Sequence, residues 1–80
     1  MIYIATFFSH FGALRFKRNC ESLGISAENM PVPRDLSSSC GTCTRFETDV
    51  LPDYSKHKDE LEKLVKLTAN GYETVFESLD

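Results

Sequence analysis

Residues 2–24 decide the fold of this 80-residue chain, and they read IYIATFFSHFGALRFKRNCESLG. The first seven are β-branched and aromatic without a regular polar alternation, which predicts a central strand that is at least partly covered on both faces. Apolar residues then recur at steps of three and four, as they do along one face of a helix. These helical positions are Ala13, Phe16, Cys20 and Leu23. Ser9 offers an N-cap and Gly24 a C-terminal stop, although Gly12 stands where a capping box would have Glu or Gln.

The next segment predicts a weak strand, a polar loop and a stronger strand. Residues 27–32 have strand character, but Pro31 and Pro33 each remove a backbone donor and restrict this strand to an edge of the sheet. A loop rich in Ser and Gly follows over residues 34–41. Residues 42–48 alternate and are rich in Thr and Phe, which predicts the third strand.

The last third of the chain predicts a second helix and a fourth strand. In residues 56–69, mostly apolar residues recur at steps of three and four and form a stripe, as on one face of a helix. Two pairs of opposite charge lie four residues apart, with the acidic residue first, which is the order that stabilises a helix. The stripe consists of Leu61, Leu64, Val65 and Thr68. Asn70 and Gly71 end this helix, and residues 72–79 alternate as a strand.

The order strand, helix, strand, strand, helix, strand predicts an α+β fold. We expect one domain over residues 1–80, a ferredoxin-like βαββαβ sandwich whose antiparallel sheet has the order 4-1-3-2 and two helices on one face. Strands one and two run parallel in this topology, so the loop of residues 34–41 should lie near the start of the first helix. The other face of the sheet would expose an apolar patch, which predicts a homodimer or a docking surface there.

Composition excludes several classes of protein. The net charge of −3 argues against a nucleic-acid binder, which needs a basic excess. Three cysteines are an odd number and do not form a disulfide scaffold. The apolar start of the chain is too short for a membrane span and has no basic region before it, so we expect a cytoplasmic protein that does not associate with membranes. In a reducing compartment, a cysteine that stands out in a loop more often has a chemical role than a structural one.

Cys40 is the conspicuous thiol, because it lies in a loop of small residues where the backbone is accessible. Basic residues flank this loop, and the predicted topology adds a helix N-terminus and a histidine; each of these favours the reactive thiolate. The expected supporting residues are His10, Arg34, Ser38, Ser39, Gly41 and Arg45. The alternative is an inert cysteine in a turn.

Cys43 adds a second alternative, since Cys40 and Cys43 form a CxxC. A disulfide needs Cα atoms within about 4.4–6.8 Å. An extended backbone would separate these two by roughly 10 Å and place them on opposite faces, whereas a turn would bring them close enough. A dithiol redox switch or reductase therefore stays open. Cys20 lies on the apolar stripe of the first helix and is expected to be a core residue, so we predict no metal site and no cofactor.

The stretch PRDLSSSCG at residues 33–41, followed by Arg45 and Phe46, resembles the family described as "Putative Se/S carrier protein-like". The opening strand and first helix are similar to that family as well. The resemblance implies that Cys40 carries sulfur or selenium, supported by Arg34 and Arg45. It also implies a cysteine desulfurase-type donor or a TusA-like carrier as partner, and a stoichiometric carrier rather than a turnover enzyme. This chain departs from the family at Cys43 and in a longer segment at residues 48–58. A protein-interaction module with an incidental Cys40 is the third hypothesis.

Overall fold

The computed structural model describes residues 1–79, which form a five-stranded antiparallel sheet with one α-helix packed on it. The elements in chain order are β1 (Ile2–Phe7), α1 (His10–Ser22), β2 (Ser26–Pro31), β3 (Thr42–Glu47), a single 3₁₀ turn (Ser55–His57), β4 (Leu61–Thr68) and β5 (Gly71–Glu77). The strands are ordered β2-β3-β1-β4-β5 across the sheet. The predicted α+β class is confirmed.

The first half of the chain folds as its sequence predicts. The hydroxyl of Ser9 accepts a hydrogen bond from the backbone N–H of Gly12 at 3.2 Å and caps α1. The helix ends before Gly24, which has a φ of 76°, a conformation that favours glycine. β3 lies between β1 and β2, and the strand that carries Pro31 is at the edge of the sheet.

The predicted second helix over residues 56–69 is wrong, because this segment forms β4. The pairing of β1 with β4 shifts by one residue, so that Thr6 lies opposite Lys63 and Phe7 lies opposite Leu61. This bulge at Glu62 places Leu61 and Leu64 on the same face of the sheet even though they are three residues apart. Val65 then points to the other face. The helical spacing of these residues therefore comes from a bulged strand that is buried on both sides.

The predicted sheet order 4-1-3-2 is wrong for the same reason, and so is the predicted number of four strands and two helices. β4 takes the place beside β1, and the predicted fourth strand, residues 72–79, appears as β5 and pairs with β4 at the edge. The predicted domain also includes Asp80, which lies outside the described residues.

An irregular crossover segment, residues 48–60, occupies the position expected for the second helix. Leu51 and Tyr54 of this segment pack on the same cluster as α1. The ring of His57 meets Phe16 edge-on, with 5.2 Å between the ring centroids. The buried members of this cluster are Tyr3, Ala5, Phe7, Ala13, Phe16, Cys20, Phe46, Leu61 and Leu64. The main core thus lies between the sheet on one side and α1 with the crossover segment on the other.

The opposite face of the sheet is less open than the sequence predicts. Ile4, Cys43 and Val65 form a small buried cluster there, and residues 32–36 of the chain itself pack over it. The hydroxyl of Tyr72 donates a hydrogen bond to the carboxylate of Asp35 at 3.0 Å, which ties this covering loop to β5. Part of the expected apolar patch is therefore already covered, and a homodimer through this face stays a prediction.

Candidate functional site

The cysteine loop, residues 32–41, connects β2 to β3 and is closed at its base. The N–H of Val32 donates to the carbonyl oxygen of Gly41 at 3.1 Å, and the N–H of Leu36 donates to that of Pro33 at 3.0 Å. Gly41 has a φ of 77° with open space where a Cβ would stand, so the backbone conformation, and not crowding, is what requires glycine here. This turn directs Cys40 toward the α1 side of the sheet, where the residue packs against the main core.

Cys40 is half-buried, and polar groups of its own loop surround its sulfur. The backbone N–H of Thr42 donates to Sγ at 3.5 Å, and the Ser38 hydroxyl lies 3.9 Å from Sγ. The carbonyl oxygen of Thr42, at 3.3 Å, can accept the thiol proton. The site therefore offers donors to a sulfur that carries negative charge and an acceptor to one that is protonated.

The cysteine loop is attached to the end of β1 and to the start of α1. The Ser38 hydroxyl donates to the carbonyl oxygen of Phe7 at 3.2 Å. His10 is exposed, and its Nδ1 lies 2.8 Å from the hydroxyl of Thr42. The predicted approach of this loop to the beginning of the helix is confirmed, but within residues 1–79 His10 bonds to Thr42 and not to Cys40.

Glu62 belongs to the site, although its place in the sequence does not indicate this. Its two carboxylate oxygens accept hydrogen bonds from Ser39, one from the backbone N–H at 2.9 Å and one from the hydroxyl at 3.0 Å. The residue preceding Cys40 is thereby fixed to the bulge of β4. Glu62 lies in the segment that the sequence predicts as the second helix, and no local signal distinguishes a bulge from a helical turn there.

The two arginines that were expected to support Cys40 lie elsewhere. Arg34 is exposed in the turn of the cysteine loop, and Arg45 lies in β3 opposite Ile4 and Glu28, on the face away from α1. Within residues 1–79, neither guanidinium forms a hydrogen bond or an ion pair. The positive charge expected near the sulfur is therefore not provided by contacts of these side chains.

Cys43 is completely buried and faces away from Cys40. It lies in the small cluster with Ile4 and Val65 on the opposite side of the sheet, and its Sγ is 3.8 Å from the carbonyl oxygen of Pro31. Burial, together with the charge of Cys40, raises the pKa of the Cys43 thiol to about 11. Both cysteines of the CxxC are free.

Cys20 is a core residue of α1, as predicted. Its side chain is 0% exposed, and burial followed by the charge of Glu21 raises the pKa of its thiol to about 11. No group of three or more His, Cys, Asp or Glu side chains within residues 1–79 is arranged to hold a metal ion. Nor does this part of the chain contain a helix with the length and apolar character needed to cross a lipid bilayer.

Fold and site together define a small α+β domain that presents one accessible cysteine from a fixed loop. The chain belongs to the family described as "Putative Se/S carrier protein-like", whose family model matches residues 2–73. This match includes β1, α1, the cysteine loop and β4. No curated protein and no solved structure shows significant similarity to the chain.

Proposed function

We propose that the Cys40 thiol accepts a sulfur or selenium atom from a donor protein and passes it to an acceptor. One observation carries this proposal: of the three cysteines, Cys40 alone reaches solvent, while Cys20 and Cys43 are 0% exposed. Membership of the carrier-like family points to the same chemistry. A carrier needs a thiol that two partner proteins can reach in turn, and among the three cysteines only Cys40 is partly exposed.

The transfer is a displacement at sulfur. The Cys40 thiolate attacks the outer sulfur of a persulfide on the donor, and a new S–S bond forms at Sγ while the donor's S–S bond breaks. The electron pair leaves on the donor cysteine as a thiolate, which takes up a proton equivalent to the one that Cys40 lost. No external oxidant or reductant is consumed. Selenium at the same oxidation level moves by the same displacement.

The loop supports this role by holding the sulfur in a defined place. Ser39 is fixed by Glu62 and Ser38 by the end of β1, so both residues before Cys40 have a fixed partner. The N–H of Thr42 is available to a negatively charged sulfur. A sulfur that is held in place loses less conformational freedom when a partner protein engages it.

A dithiol switch built from Cys40 and Cys43 has less support. It requires both sulfurs to meet and Cys43 to act as a nucleophile, yet Cys43 is buried on the other side of the sheet. Its pKa of about 11 leaves it protonated at neutral pH. Separation of the two thiols instead protects a Cys40 persulfide, because attack by a neighbouring thiol would release sulfide.

The test is intact mass after incubation with a cysteine desulfurase and cysteine, and separately with inorganic polysulfide, which needs no protein contact. We expect the protein, Cys43→Ser and Cys20→Ser to gain the mass of a sulfur atom, and Cys40→Ser to gain none. A loss of two hydrogens that requires both Cys40 and Cys43 would favour the dithiol. If neither donor modifies Cys40, the carrier proposal is wrong and an interaction module remains.

A further inference from the structure

A cavity of about 420 Å³ lies between α1 and the crossover segment, on the outer side of the main core. Its lining residues are Arg15, Arg18, Asn19, Lys56 and His57. The first three stand at positions i, i+3 and i+4 and therefore share one face of the helix. The other two come from the crossover segment, so the cavity exists only because that segment packs beside α1.

Positive charge gathers at this cavity and is only partly neutralised. Within residues 1–79, neither the Arg18 guanidinium nor the Lys56 ammonium forms a hydrogen bond or an ion pair. Arg15 is held by the carboxylate of Glu60 at 2.6 Å and lies over the ring of Phe11 at 5.2 Å from its centroid. Two cations without an ion pair, Arg18 and Lys56, therefore line one cavity, although the protein has a net charge of −3.

His57 adds a polar atom that lacks a partner. Its ring is oriented by the edge-on contact with Phe16, and its Nε2 is buried with no hydrogen-bond partner among residues 1–79, as is Oε2 of the nearby Glu60. Buried nitrogen atoms without a partner are rare in folded proteins and call for an explanation. Burial, followed by the charge of Lys56, lowers the pKa of His57. Arg15 acts in the same direction, whereas Glu60 and Asp53 oppose it.

We propose that this cavity binds a phosphate group, either as the free ion or as the monoester of a small molecule. A guanidinium presents paired N–H donors that match phosphate oxygens, and the Lys56 ammonium adds a further charge and further donors. The volume is within the range of small-molecule sites and exceeds what a free phosphate fills. At about 1.5 Å per residue, Arg18 lies about 12 Å along α1 from His10, so this site is separate from that of Cys40.

The experiment is a titration of the full chain with inorganic phosphate, in which NMR signals of the His57 imidazole are recorded at each phosphate concentration. We expect saturable shifts and a higher pKa of His57 in the complex, because a bound anion stabilises the imidazolium. Arg18→Gln and Lys56→Gln should each weaken binding about tenfold, the typical loss for one charge-assisted contact. Tighter binding of glycerol 3-phosphate than of phosphate identifies a monoester site, and equal or weaker binding identifies a site for the free ion.

Arg34→Gln is the matched control, because it removes the same charge from an exposed residue in the cysteine loop, on the other side of the sheet. It should change phosphate affinity less than twofold, and Cys40→Ser should not change it. The proposal is overturned if the His57 shifts do not saturate, or if Arg34→Gln weakens binding as much as Arg18→Gln. Tighter binding of a polyglutamate peptide than of either phosphate compound would also overturn it and would indicate an acidic protein segment as the ligand.

Discussion

Replacing Gly12 by alanine gives a sharp test of how the crossover segment packs on α1. Alanine is the best helix former, and at an ordinary exposed helix position the change from glycine stabilises by about 1 kcal/mol. Here, however, a Cβ would stand 2.8 Å from Oε2 of Glu60, 2.9 Å from its Cβ and 3.1 Å from Cδ1 of Phe7. The carboxylate can move away, but the Glu60 Cβ is fixed to the backbone and the Phe7 ring is 0% exposed.

The clash should outweigh the gain in helix propensity. Overpacking a tight contact costs about 1–3 kcal/mol, and two contacts with atoms that cannot turn aside place this substitution in the upper part of that range. Subtracting the gain of about 1 kcal/mol leaves a net destabilisation of about 1–2 kcal/mol. For a domain of this size, in which 1 kcal/mol corresponds to about 4–8 °C, the Tm should fall by about 4–16 °C, measured by circular dichroism alongside urea denaturation.

A double-mutant cycle identifies the cause. Glu60→Gly removes both of the Glu60 atoms that a Cβ at position 12 would meet, so Gly12→Ala should cost at least about 1 kcal/mol less in that background. If Gly12→Ala stabilises the protein, or costs the same with and without the Glu60 side chain, the close packing of these two segments is refuted.

Two further predictions concern the cysteines and the cysteine loop. The pKa values of Cys20 and Cys43 are raised to about 11 from 9.0, so the stability that these thiols contribute is complete below pH 9 and is lost as the pH rises toward 11. The free energy of unfolding from urea titrations should therefore fall in this window, and by less in Cys20→Ala; an equal fall in that variant would contradict the assignment. Glu62→Ala removes both acceptors of Ser39, each in a charge-assisted bond, and hydrogen exchange of the Ser39 amide should accelerate about tenfold or more. An unchanged exchange rate would show that Glu62 does not hold the loop.

The elements that the sequence predicts correctly are those whose signals are local. Ser9, the apolar stripe of α1 and Gly24 lie within one continuous stretch, and each acts on its immediate neighbours. The position of the cysteine loop near the start of α1 also follows from the sequence, because β1 and β2 run parallel in the predicted topology and their ends therefore lie at the same edge of the sheet. The accessible thiol and its loop were predictable for these reasons.

The elements that the sequence predicts wrongly depend on partners distant in the chain. A bulge at Glu62 gives Leu61 and Leu64 a helical spacing, and only the pairing with β1 shows that they lie on a strand. Gly12 stands where a capping box would have Glu or Gln, and the sequence gives no reason for glycine there. The reason is that Glu60, which is distant in the chain, packs against Gly12. The same applies to the hydrogen bonds between Glu62 and Ser39, which join residues 23 positions apart.

The separation of the two loop thiols agrees with the alternation of side chains at the start of β3. In a strand, side chains alternate between faces, so Thr42 faces α1 and Cys43 faces the opposite side. Cys40, two residues before Thr42, packs on the α1 side as Thr42 does, although Gly41 between them has a left-handed conformation. A CxxC at a helix start would bring its sulfurs together, whereas here the two cysteines pack on opposite faces of the sheet. The protein therefore combines a motif typical of reductases with a geometry that suits a carrier, because a persulfide on Cys40 has no thiol beside it to attack it.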